Sequence, residues 1–320
     1  MVVIRLTSAA CSNKLKYMSR FIFAALISAV VVSAAPLRPA AAQQVPGRDL
    51  LDFPLGLLAE SPGLSSRMAG GLWNPASSAL PAGTRGEVGF AGLTTPKEQG
   101  VTLQMIAGEY RFMPTTTASL SYTQASVSDI FRTDTDPQTL GGEIRYATSL
   151  LSAGIATTLR RDVMVGVAAR YRWAAADTAR TGVLAFDAGA VADHVLGTPL
   201  RVALSTFLFS PSRSRELATY EASADVPVVR RDSTLAVRAG YSHSQTDGRG
   251  RDEYAFGTAA YHQFDLSAGV VQSHAYGNVD QRFRMGLGLR YASYTLAFGR
   301  EDGSAGFPAS YQFLFTRTIK

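Results

Sequence analysis

The sequence predicts an all-β fold, a transmembrane antiparallel up-and-down β-barrel of about fourteen strands with an N-terminal plug segment. Three observations predict it. Val163–Trp173 alternates strictly, placing Val163, Val165, Val167, Ala169, Tyr171 and Trp173 on one face and Met164, Gly166, Ala168, Arg170 and Arg172 on the other. Comparable runs recur to the last residues, separated by breaks that are alternately tight and looser. No apolar run reaches the length of about 20 residues that a membrane-crossing helix needs, so a crossing must be made by strands of about 9–11 residues.

Residues 1–42 read as a secretory signal peptide that is cleaved. Met18-Ser19-Arg20 precedes the apolar run 21–35, and Ala40-Ala41-Ala42 supplies a small-residue cleavage site before Gln43. Translation could start at Met1 or at Met18. This segment carries Arg5, Lys14, Lys16, Arg20 and Arg38 and no acid, so the formal charge of +6 for the whole chain falls to near neutrality after cleavage. The basic balance therefore belongs to the export segment, and no nucleic-acid partner is expected. The single cysteine, Cys11, leaves with it, which excludes disulfides, thiolate metal sites and a cysteine nucleophile from the exported chain.

Residues 43–85 do not alternate. Asn74 is a good helix N-cap and Pro75 suits a first helical position, while Pro81 ends the turn, which predicts a short helix at about 75–80. The segment is apolar enough to sit as a plug or hatch inside a barrel of sufficient diameter.

Residues 86–320 form the barrel. The runs fall at about 86–94, 100–112, 115–127, 140–158, 163–174, 182–193, 199–209, 216–226, 233–243, 252–262, 265–274, 281–291, 293–299 and 307–318. Tight breaks such as Met113-Pro114 and Ala292 mark periplasmic turns, and looser ones such as 128–138, 174–181 and 244–251 mark outside loops. Phe283, Met285, Leu287, Leu289 and Tyr291 oppose Arg282, Arg284, Gly286, Gly288 and Arg290. Leu235, Val237, Ala239 and Tyr241 oppose Arg238, Gly240 and Ser242, and Leu200, Val202, Leu204 and Leu208 oppose Arg201, Ala203 and Ser205. An arginine facing lipid near the midplane costs about 2–4 kcal/mol, so the arginine faces should line the lumen. In the run 100–112 the face of Val101, Leu103, Met105 and Ala107 continues into Glu109 and Arg111, which predicts a phase slip, as a kink or bulge, near Gly108.

Four features together resemble the FadL-like superfamily of outer-membrane fatty-acid transporters, including its PorV/PorQ branch. They are the export signal, the non-strand segment ending in Leu72-Trp73-Asn74-Pro75-Ala76, the strand number, and Leu184-Ala185-Phe186-Asp187-Ala188-Gly189-Ala190, which is similar to a strand of the PorV branch. The resemblance implies that Trp73, Asn74, Pro75 and Ala76 form the plug motif. It also implies that hydrophobic ligands leave through a lateral opening made by a strand kink, for which Gly108 is the candidate. Ser77 stands where the family often has glycine, and the outside loops are short.

The lumenal arginines Arg170, Arg172, Arg201, Arg238, Arg282 and Arg284 could bind the carboxylate head of an amphipathic ligand. Pairing with lumenal acids such as Asp187, Asp193 and Glu109 is the competing assignment, because buried charges need partners whatever the function. His194, His243, His262 and His274 fall at strand ends and turns; His274 beside Ser273 and His243 near Asp247 and Asp252 are the pairs a hydrolase would use, but exposed rim histidines are common without catalysis, so no enzyme activity is expected. Asp129, Asp134 and Asp136 lack the ligand spacing of a calcium loop, and the run 246–252 does not lead from a strand into a helix as a phosphate cradle would. The expected protein is a transport barrel of the bacterial outer membrane for hydrophobic or amphipathic small molecules such as long-chain fatty acids. The alternative is a PorV-like accessory barrel of type IX protein secretion. Expected partners are outer-membrane lipid, a hydrophobic ligand and, on the alternative, secretion-system proteins; no cofactor or metal is expected.

Overall fold

The computed structural model describes residues 44–65, 68–133, 140–211, 216–231, 234–275, 277–303 and 309–320. The expected signal peptide, Asp134 and Asp136 lie outside the described residues. Fourteen antiparallel strands close into a barrel. In chain order they are β1 (Gly86–Thr94), β2 (Val101–Met113), β3 (Thr116–Val127), β6 (Tyr146–Arg160), β7 (Val163–Ala176), β8 (Ala179–Ala192), β9 (Arg201–Phe207), β10 (Thr219–Arg231), β11 (Leu235–Thr246), β12 (Gly250–Tyr261), β13 (Phe264–Ala275), β14 (Asn278–Tyr291), β15 (Tyr294–Glu301) and β16 (Ser310–Ile319). Two further strands, β4 (Phe131–Thr133) and β5 (Leu140–Glu143), pair with each other in the loop between β3 and β6. β1 pairs with β16, with Gly86 opposite Ile319, which closes the ring, while β8 meets β9 only over Gly189–Ala192 and a bridge at Phe186.

Alternation explains the wall. On β7, Val167, Tyr171 and Trp173 are exposed while Gly166, Ala168, Arg170 and Arg172 are buried. Ile106, Leu120, Ile155, Leu184, Leu266 and Phe298 are likewise exposed on other strands. An apolar surface that surrounds the whole barrel is stable only against lipid. Exposed aromatics collect near both rims. Tyr110, Phe112, Tyr261 and Tyr294 stand at the end carrying the short turns, and Tyr171, Trp173, Tyr241 and Tyr311 stand toward the other. The short-turn end, where β1 begins and β16 finishes, is the periplasmic end of such a barrel.

Four elements differ from the sequence-based expectation. The run 140–158 is divided, because Leu140–Glu143 pairs with Phe131–Thr133 and the wall strand begins only at Tyr146. The expected loops 174–181 and 244–251 are tight turns, with Asp177 and Gly248 in left-handed backbone, because strand pairing continues to Ala176 and Ala179 and to Thr246 and Gly250. β9 stops at Phe207, and Leu208 points inward, fully buried, instead of facing lipid. There is no slip at Gly108: it pairs with Val88 and with Leu120 in unbroken register, and the only shift on β2 lies between Arg111 and Met113, beside the turn. Val101, Leu103, Met105, Ala107 and Glu109 all face inward, an apolar inner face made necessary by the apolar plug it packs on. A Gly108→Val variant is therefore expected to keep or slightly raise the urea unfolding midpoint of the folded barrel, since an added Cβ makes only ordinary contacts, with Val88 Cγ1 at 3.6 Å and the Glu87 carbonyl at 3.9 Å. A clear loss of stability would restore the kink.

Candidate functional site

Residues 44–65 and 68–80 occupy the lumen, and their main chain is satisfied partly by their own short turns and partly by inward-facing wall side chains. This is a requirement of burial, because an irregular segment inside a barrel has few main-chain partners of its own. Near the outer end, Arg172 donates to the carbonyls of Val45 (2.8 Å) and Pro46 (2.7 Å), and the Gly47 N–H donates to Tyr146 Oη at 3.0 Å. Arg48 donates to Thr219 Oγ1 at 2.8 Å and pairs with Asp52, which Arg249 also bonds at 2.5 Å. Midway, the Gly56 N–H donates to Gln312 Oε1 at 2.7 Å, and Glu221 accepts from the Gly63 N–H at 2.8 Å. Near the periplasmic end, the Leu80 N–H donates to Thr117 Oγ1 at 3.3 Å, and Arg111 donates to the carbonyls of Leu80 and Pro81.

The Trp73-Asn74-Pro75-Ala76 stretch sits at the centre of this packing. Asn74 Oδ1 accepts the Ala76 N–H at 3.0 Å, capping a 3-10 turn over Pro75–Ser78, and its Nδ2 donates to the Gly63 carbonyl at 2.9 Å. The cap and the proline start are the features that predicted a helix at about 75–80; the helical turn ends at Ser78, and further turns at Asp49–Asp52, Pro62–Leu64 and Gly70–Trp73 carried no sequence signal. Two wall glycines make room for the motif. A Cβ on Gly189 would stand 1.8 Å from Asn74 Oδ1, and one on Gly166 would stand 2.4 Å from the Pro75 carbonyl carbon. Trp73 packs on Phe207, ring centroids 5.1 Å apart, and its indole N–H donates to the Leu55 carbonyl at 3.3 Å.

All six lumenal arginines point inward, and each meets a carboxylate. Arg170 Nε lies 2.5 Å from Asp187, its guanidinium stacks 4.9 Å from the Phe207 ring centroid, and it donates to the Leu72 carbonyl at 2.5 Å. Arg172 bonds Glu216 at 2.5 Å. Arg201 and Arg238 share Asp225, at 2.6 and 2.5 Å. Arg282 and Arg284 share Glu301, both at 2.7 Å. Of the acids expected as partners only Asp187 takes that role. Glu109 is buried against the plug near Gly71, and Asp193 lies at a periplasmic turn with its N–H on the Asp162 carbonyl. Register supplies the partners that the sequence did not show. Arg201 stands directly opposite Asp225, and Arg284 directly opposite Glu301, where cross-strand side chains meet.

Among the described residues, two chambers beside the plug lie along β11–β14, and a further cavity of about 440 Å³ lies between Asp49, Leu50 and Phe53 of the plug and Val101, Val127 and Glu301 of the wall. The outer one, of about 460 Å³, has Leu57, Pro62 and Tyr254 on its apolar side and Arg282 and Arg284 on its charged side. The inner one, of about 500 Å³, is lined by Leu64 and Phe256 and by Arg201, Arg238 and Arg290, and faces the periplasmic end. Arg170 and Arg172 are fully buried and reach neither chamber; they hold the plug. Besides single register shifts at Arg111/Met113, Thr158/Arg160 and Pro227/Val229, the wall has an irregular joint between β8 and β9, whose ladder covers only Gly189–Ala192. Phe186 bridges Phe209 instead of Leu208, the Ala188 N–H is taken by Thr206 Oγ1 at 2.9 Å, and the Leu208 N–H turns inward to Asp187 at 2.7 Å. This is a bulge, filled by Leu208 in left-handed backbone.

A closed fourteen-stranded barrel with a lipid-facing apolar surface and a plugged lumen has the form of an outer-membrane β-barrel. Solved structures of that type share its fold. It superposes on a Pseudomonas aeruginosa FadL homologue with a TM-score of 0.52 and 10% identity, covering 88% of this chain and 99% of that one. On the monoaromatic hydrocarbon channel CymD the values are 0.56 and 10%, covering 83% and 97%. On the Pseudomonas putida toluene transporter TodX they are 0.51 and 9%, covering 88% and 99%. No family model and no curated protein sequence matches the chain.

Proposed function

We propose that this barrel carries hydrophobic or amphipathic small molecules, with long-chain fatty acids as the leading class, across the outer membrane. The observation that carries the reading is the outer chamber. It places an apolar plug surface of Leu57 and Pro62 in one cavity with Arg282 and Arg284, which share Glu301, while Asp252 and Asp280 each stand 3.7 Å from Arg282. An acyl chain would lie on the first, and its carboxylate would bond the second, as bidentate arginine–carboxylate pairs do. Neighbours described as a FadL homologue, a toluene transporter and a hydrocarbon channel support the hydrophobic class and a non-enzymatic role. Arg201 and Arg238 would meet the ligand only in the inner chamber.

The test is uptake of radiolabelled oleate by a bacterial host lacking its own fatty-acid channel. Expression of the chain is expected to restore uptake, and Arg284→Ala to lower it about five-fold, the loss of one charge-assisted pair. Uptake equal to that of an empty vector would overturn the reading.

A further inference from the structure

The two chambers lie one above the other along the same part of the wall. On β12 Tyr254 lines the outer chamber and Phe256 the inner; on β13 Val271 and Ser267 do the same, and on β14 Arg284 and Arg290. The ladders joining β11, β12, β13 and β14 run in continuous register past both chambers. Passage through the wall there would expose unpaired main-chain groups to hydrocarbon, a costly state. The irregular joint at β8 and β9 borders neither chamber and is filled by Leu208.

A bend of the plug lies in the chain between Leu57, which lines the outer chamber, and Glu60 and Ser61, which line the inner. Leu58 (φ 49°) and Ala59 (φ 63°) are consecutive left-handed residues without a glycine, a strained pair that persists only where its surroundings hold it. The wall holds it by its carbonyls. Ser267 Oγ donates to the Leu58 carbonyl, and Tyr254 Oη donates to the Ala59 carbonyl at 2.6 Å. Gly286 lets the bend sit flush, for a Cβ there would stand 2.1 Å from the Leu58 oxygen.

We propose that the Leu58–Ala59 bend is the gate of an axial passage, so that cargo admitted to the outer chamber leaves through the inner chamber into the periplasm and not through the wall. Two hydroxyls and one glycine hold the gate shut, and strain in the bend favours release. Charged side chains line both chambers and Tyr254 and Phe256 stack at the neck, ring centroids 5.3 Å apart, so the passage suits amphiphiles with a polar head over pure hydrocarbons. The cargo rests on the transport reading above; the gate does not.

Conductance across a planar lipid bilayer separates the two routes, because a lateral exit carries no axial ion current. Each variant is first shown to be a closed barrel by its heat-sensitive gel mobility. Tyr254→Phe combined with Ser267→Ala, and independently Gly286→Ala, are expected to raise mean conductance at least ten-fold over wild type. Adding Thr258→Trp, which fills the inner chamber below the neck, is expected to return it to the wild-type level. No rise in either opened variant, or a rise that Thr258→Trp leaves untouched, overturns the gate. Opened variants that conduct in a protein that never restores oleate uptake would remove the fatty-acid reading and leave the gate standing.

Discussion

Asp187→Leu is expected to lower barrel stability by about 3–5 kcal/mol, because it strands a buried guanidinium. Arg170 has no solvent exposure and Asp187 only 3%, so neither charge is relieved by water when its partner is lost. The same carboxylate accepts the Leu208 N–H, so the substitution also leaves an unsatisfied main-chain donor at the β8–β9 bulge. The double variant Arg170→Met with Asp187→Leu should recover most of the loss, since replacing both members of a buried pair by apolar groups is often neutral. Urea unfolding of the refolded barrel in lipid vesicles measures all three proteins. An Asp187→Leu midpoint equal to wild type would mean that the pair does not hold the plug.

Gly189→Val should detach the centre of the plug while leaving the wall able to form. Valine suits a strand, so β8 itself gains nothing to fear from the change. The new side chain, however, would occupy the space of the Asn74 amide, whose two hydrogen bonds join Gly63 to the Pro75–Ser78 turn. Overpacking of this kind costs about 1–3 kcal/mol, and the escape open to the chain is to move the plug. Rapid protease cleavage within residues 44–80, in a barrel that keeps its heat-sensitive gel mobility, is the expected result. Protection equal to wild type would show that the plug is held without the Asn74 seat.

The wall was more legible than the lumen. Period-two alternation is local, and lipid imposes it on every strand, so Val163–Trp173 and the face of Phe283, Met285, Leu287 and Leu289 could be assigned residue by residue. The same logic misread β2, where Val101, Leu103 and Met105 look lipid-facing but pack on the plug. Hydrophobicity alone does not say which apolar phase a residue meets. Asp225 and Glu301 were missed as arginine partners because pairing across strands depends on register, which no single run contains, and Glu216 because it reaches Arg172 from the non-strand residues before β10.

By itself, then, the chain's patterning determined a membrane-spanning barrel, its strand number, its inward arginines and an Asn-Pro turn in a plug, since each follows from contacts within a few residues or with solvent. Tertiary structure alone decided which carboxylate neutralises each arginine, that β2 is unkinked while β9 is bulged, and that a strained bend of the plug lies between the residues lining two chambers. Those features join residues as far apart as Leu58 and Ser267 or Ala59 and Tyr254. Their energies come from burial and register, and both exist only once the barrel has closed around its plug.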